Sequence, residues 1–158
     1  MIGYVKKLRN KPIELTALMI HLCSFLLMVM LVYTGLDKLI SWDESRKAFH
    51  NQTFPAELAE VLAYAVPISE LLIALLLLFS VTRWWGFLSS ILLLTVFTTY
   101  VGLIWVEAFP RVPCNCAGLL QSLGWAEHFM LNLLFISLGI FGLYQNPTKK
   151  PKADASGF

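Results

Sequence analysis

Residues 15–36 read LTALMIHLCSFLLMVMLVYTGL, 22 residues without a carboxylate, a lysine or an arginine, and with His21 as the one imidazole. At 1.5 Å per residue, a helix of that length crosses roughly 30 Å of hydrocarbon. Three further runs share its character. Residues 61–82 are interrupted by Glu70 alone, residues 84–106 carry no formal charge, and residues 129–144 are lengthened at their start by Trp125 and Ala126. None of these runs alternates polar and apolar side chains, so a barrel strand is a poor reading. The expectation is an all-α integral membrane protein, a four-transmembrane-helix bundle.

Composition points the same way. Of 158 residues, 58% are hydrophobic and only 14% are charged, where soluble domains carry roughly 25% charged residues. Mean hydropathy is +0.69. A soluble domain of this length has too little interior to hide so much apolar surface. The net charge of +2 is too small to suggest nucleic acid, and the expected non-protein partners are membrane lipids. Residues 1–11 are basic, but the apolar run that follows is too long for the core of a cleavable leader and ends in no small-residue cleavage pattern. Residues 1–148 are read as one membrane domain with a basic leader, and residues 149–158 as a flexible basic tail.

Basic residues set the expected orientation. Lys6, Lys7, Arg9, Lys11, Arg83, Lys149, Lys150 and Lys152 fall on one side of a four-span chain, and Lys38, Arg46, Lys47 and Arg111 on the other. Eight against four favours cytoplasmic termini, and the expected location is the bacterial cytoplasmic (inner) membrane. Between the first two spans, Trp42 and Phe49 suggest a loop lying on the membrane surface, with Pro55 opening the next helix at its first position. Residues 80–83 must turn tightly, making spans two and three neighbours.

The orientation carries Cys114-Asn115-Cys116 to the extracytoplasmic face, where disulfides persist. Two cysteines one residue apart bond only by bending the backbone between them, which favours an easily reduced, exchange-active bond. A structural disulfide, resting thiols and metal handling are the competing readings, and Glu127 and His128 are too few to complete a metal site. Cys23, well inside the first span, reads as a packed thiol. His128 and Asn132, four residues apart, share one helix face; His128 is the candidate to assist thiol deprotonation and Asn132 to orient a backbone group. Counting inward from the cytoplasmic side gives His21 and Glu70 a common depth of roughly 15–18 Å. The expected polar site in the membrane is therefore His21, Glu70 and Asn132. Its functional reading is proton handling or a quinone-facing site; its bland reading is polar glue between helices. Pro67 is expected to kink span two and free a carbonyl.

The segments Tyr33-Thr34-Gly35-Leu36-Asp37-Lys38-Leu39, Pro67-Ile68-Ser69-Glu70 and Cys114-Asn115-Cys116-Ala117-Gly118, followed by Trp125 and Asn132, resemble the MauE branch of the DoxX-like membrane proteins over roughly residues 16–144. Ala117 stands where that family often has an aromatic residue. The resemblance implies a redox-associated DoxX-like membrane domain that supports disulfide formation beside a thioredoxin-like partner. It implies redox roles for Cys114 and Cys116, a membrane-site role for Glu70, and a quinone as the cofactor it allows without requiring. The leading expectation is membrane-linked thiol–disulfide exchange. The alternatives are a non-catalytic scaffold or accessory subunit of a membrane complex and, more remotely, passage of a small molecule or metal ion. Exchange predicts a partner-linked disulfide trapped by a single cysteine variant.

Overall fold

The computed structural model describes residues 2–52, 55–108 and 124–146, with side chains from residue 14 onward. These residues form five helices and no strand: α1 (Ile2–Ile40), α2 (Trp42–His50), α3 (Ala56–Leu78), α4 (Arg83–Trp105) and α5 (Trp125–Gln145). Four stretches are long and apolar enough to cross a membrane: Glu14–Ile40 in α1 and the whole of α3, α4 and α5. The all-α bundle read from the sequence is the one observed. Each of these helices packs on its neighbour in the chain, and α5 closes back on α1, so the four form a ring.

Two ends of the ring differ. At one end, residues 79–82 join α3 to α4 in the tight turn that the sequence requires. The Thr82 hydroxyl donates to the Leu76 carbonyl at 2.9 Å, and Arg83 Nε donates to the Leu77 carbonyl at 3.3 Å. These contacts satisfy carbonyls that the end of α3 leaves without helical partners. Gly86 is needed beside them: a Cβ there would lie 2.9 Å from the Leu77 backbone nitrogen. This half of the bundle is closely packed around Cys23, Leu27, Leu31, Ile73, Leu77 and Phe87. Cys23 is 2% exposed and packs as expected. Gly139 and Gly142 on α5 admit Ile91 and Phe87 of α4, and a Cβ on Gly142 would fall 2.4 Å from the Phe87 ring.

The other end is built differently from the surface loop expected between spans one and two. Ser41 alone separates α1 from α2, and the helical bonding runs through it: Ser41 N donates to Asp37 O and Ser45 N to Ser41 O, both at 2.9 Å. Helix α2 thus carries α1 onward along α3. Trp42 packs on Tyr64 with ring centroids 4.5 Å apart, and Arg46 and His50 each reach Glu60 at 2.8 Å. The hydrogen bond from Arg46 to Glu60, and the charge of Glu60, raise the Arg46 guanidinium further above its already high value. Pro55 is not the first helical residue but the N-cap of α3, with ψ 143°. Its carbonyl accepts from Ala59 N. Pro67 lies buried within α3, where a ring without an N–H leaves the Ala63 carbonyl without its helical donor.

Helix α4 ends on a left-handed residue. Glu107 has φ 55°, and Ala108 N donates to Leu103 O at 2.9 Å while Glu107 N donates to Ile104 O at 3.0 Å. This is the Schellman pattern, with a glutamate where glycine would cost nothing.

Candidate functional site

Between α1, α3, α4 and α5, in the half that also contains α2, lies a cavity of about 560 Å³. That volume falls in the range of roughly 300–1,000 Å³ usual for small-molecule sites. Its walls are mainly apolar, with Leu31, Leu62, Val66, Leu94, Val101 and Ile104 among them. Helix α4 ends and α5 begins at this end of the bundle. Both attachment points of residues 109–123 therefore lie there.

Few polar groups face the cavity, and their placement follows from helix geometry. Glu70 is 2% exposed. Its carboxylate accepts from Lys38 Nζ at 2.9 and 3.0 Å. Lys38 reaches this depth because side chains on a helix lean toward its N-terminus; its third proton goes to the Thr34 carbonyl, one turn back, at 3.2 Å. Gly35 brings α1 close at this level, where a Cβ would lie 3.1 Å from Leu71 and 3.4 Å from Glu70 Cβ. The Lys38 ammonium is thus saturated and the Glu70 charge neutralised within the pair. Burying two charges is tolerable in a medium of low polarity only with such matching.

The opposite wall is α5. His128 and Asn132 both line the cavity. Asn132 is 3% exposed, and its Nδ2 has no hydrogen-bond partner among the described residues. Such an orphan is rare, because an unpaired buried donor costs about 1–3 kcal/mol. Nearer the α2 end, the Tyr100 hydroxyl donates to Gln52 Oε1, and both residues line the same space.

The structure therefore gathers Glu70, His128 and Asn132 around one cavity and leaves His21 out. His21 sits at the turn end, exposed, with Nδ1 3.1 Å from an Arg83 guanidinium nitrogen. The common depth expected of His21 and Glu70, and with it the place of His21 in the polar site, is thus corrected. Ser24 donates to the Leu77 carbonyl at 2.8 Å, a register that sets His21 level with about residue 80. Glu70 is some ten residues further along α3, roughly 15 Å away. Lys38, read in the sequence as a loop charge, is the partner actually found. The signal was present: a mid-span carboxylate needs a cation, and a lysine at the end of the preceding span leans inward. Cys114 and Cys116 lie outside the described residues.

A family model for the methylamine utilisation protein MauE matches residues 16–145. The chain belongs to the MauE family. The match takes in the four apolar helices and both cavity walls, and this MauE-family chain is a multi-pass membrane protein. Searches of curated proteins and of solved structures give no match.

Proposed function

We propose that this MauE-family protein is the membrane component of a thiol–disulfide exchange system. Cys114 and Cys116 are its exchanging sulfurs, and an extracytoplasmic, thioredoxin-like protein is its partner. The observation that carries this reading is the cavity end of the bundle. The helix ends that the cysteine-bearing segment connects, those of α4 and α5, lie at the end of the bundle that holds an apolar cavity with a buried ion pair and an amide unpaired among the described residues. The family's description as methylamine utilisation proteins is compatible with service to one enzyme's maturation. The excess of basic residues on the side of both termini supports a cytoplasmic-membrane location with the cysteines outside.

In the oxidising direction the partner's dithiol gives up two electrons and two protons and becomes a disulfide. The Cys114–Cys116 disulfide takes them up through a mixed disulfide and becomes a dithiol. Reoxidation passes the two electrons and two protons to a lipid-soluble acceptor of the quinone class, which leaves as the hydroquinone. His128, on the α5 wall four residues from Asn132, is the side chain proposed to assist thiol deprotonation.

The test is trapping. Cys116→Ser and Cys114→Ser are expressed separately in cells that contain the partner. One of them is expected to accumulate a covalent adduct, seen on non-reducing gels and mapped by mass spectrometry. Absence of any adduct from both, with sulfurs inert to added dithiol protein, overturns the proposal and leaves a scaffold role.

A further inference from the structure

We infer that the bundle cavity binds the head of a quinone, with the Asn132 carboxamide donating a hydrogen bond to a ring carbonyl. The inference rests on the exchange reading for its purpose and on the cavity alone for its chemistry.

Three observations select the ligand class. The walls are mainly apolar and the buried charges cancel, since Lys38 and Glu70 engage one another and Lys38 has no proton left to offer; the remaining charge on the lining is the half-buried carboxylate of Asp37. An anion would meet that carboxylate and find no free ammonium, and beside the matched pair and the apolar walls the deep part of the cavity suits a neutral occupant. Among the described residues that line the cavity, the fully buried donor without a partner is Asn132 Nδ2. The occupant therefore carries an acceptor oxygen. Asn132 lies seven residues into α5, roughly 10 Å along the helix from Trp125. At that depth a lipid tail offers only methylenes and would leave the donor unpaired. A lipid-soluble ring bearing carbonyl groups meets all three conditions, and Phe97, Trp125 and Tyr33 give it flat apolar surface to lie against. On the far wall, the Lys38–Glu70 pair bounds the same space without needing the ligand for its own neutrality.

The experiment uses the full chain in lipid nanodiscs and a tritiated short-chain benzoquinone. One saturable site is expected. Asn132→Leu is expected to weaken it about five- to tenfold, the loss of a single hydrogen bond. His21→Ala, at the other end of the bundle, is expected to leave the affinity unchanged. The dimethyl ether of the matching hydroquinone, which has the same tail but no carbonyl, is expected to bind as weakly to the wild type as the quinone binds to Asn132→Leu. Non-saturable uptake, or equal affinity of wild type and Asn132→Leu, overturns the inference and assigns the Asn132 amide a buried water instead. Should Asn132→Leu fail to fold, an azidoquinone photolabel on the wild type decides. Adducts on the inward faces of α4 and α5 support the site, and adducts confined to lipid-facing residues overturn it. Failure here with a trapped mixed disulfide sinks the quinone site alone, whereas saturable binding without any trapped adduct sinks the exchange reading alone.

Discussion

Replacing Lys38 with methionine keeps the stem that packs against α3 and removes the ammonium, so it isolates the charge. The ion pair has N–O distances of 2.9 and 3.0 Å, with side-chain exposures of 12% for Lys38 and 3% for Glu70. At those distances and an effective dielectric constant near 20, the Coulomb attraction is about 6 kcal/mol. Much of that offsets the cost of desolvating both groups, and what single truncation exposes is a carboxylate stranded in an apolar wall. The expected loss of stability is about 3–5 kcal/mol. Glu70→Gln alone should cost a similar amount by stranding the ammonium. The double variant Lys38→Met/Glu70→Gln removes both charges, and its loss should be smaller than the sum of the singles by about 2–3 kcal/mol. The assay is a double-mutant cycle read by reversible unfolding in mild detergent, with the same cycle on Arg46 and Glu60 as an exposed reference pair. A coupling below about 0.5 kcal/mol, no larger than that of the exposed pair, refutes the reasoning. It would mean that Lys38 and Glu70 are each solvated and that the α1–α3 register described above is wrong.

Gly142→Ala places a methyl 2.4 Å from the Phe87 ring; it should destabilise the bundle by about 1–3 kcal/mol, checked by thermal unfolding, and a neutral result would mean that α4 and α5 are not in close contact there. Glu107→Gly relieves a left-handed residue at φ 55° and should stabilise the chain by about 0.5–1 kcal/mol, provided the Schellman ending of α4 is the native one. His21→Ala removes an exposed contact with Arg83 and should change stability by less than about 1 kcal/mol; a larger loss would restore a core role for the imidazole. Asn132→Leu deletes an unpaired buried donor, so ligand-free protein should unfold at the same temperature as wild type or higher, whereas a clear drop would mean that the amide has a partner within the fold.

The four spans were legible because lipid imposes one crude demand, a long run without charge, and residues 15–36, 84–106 and 129–144 meet it, falling within a few residues of Glu14–Ile40 of α1, α4 and α5. Where the demand is local, the reading slipped. The first turns of α3 carry Glu57 and Glu60 and so lay outside the apolar run of residues 61–82, although the helix starts at Ala56 and α2 supplies Arg46 and His50 as partners for Glu60. Phe79 fell within the expected span of residues 61–82, whereas α3 ends at Leu78. Helix α2 was hidden because Ser41 breaks α1 without a proline or glycine to mark the place, and because charged Asp43, Glu44, Arg46 and Lys47 suit a surface loop equally well. The polar site was half legible for a similar reason. Depth counting from a span boundary carries an error of several residues: counted from the cytoplasmic side His21 and Glu70 share a depth, whereas the Ser24–Leu77 contact sets His21 level with about residue 80. That error put His21 where the structure has Lys38.

The same inward face of α5 shows why the ring is sealed at one end and hollow at the other. It begins with His128 and Asn132 and finishes with Gly139 and Gly142. The glycines let α4 close until Phe87 and Ile91 fill the gap, while the longer polar side chains hold the walls apart. Helices α1 and α3 repeat the division, with Cys23, Leu27, Ile73 and Leu77 packed at the turn end, and Thr34, Lys38 and Glu70 at the other. Apolar residues of like size at the Lys38 and Glu70 positions would pack as well and often better, since a buried ion pair seldom gains more than it loses by leaving water. Stability alone therefore does not account for keeping an ion pair and an orphaned amide in one half of so small a bundle. A half that must admit a neutral acceptor-bearing molecule does account for both, because it needs a donor left free and charges that cancel before the molecule arrives.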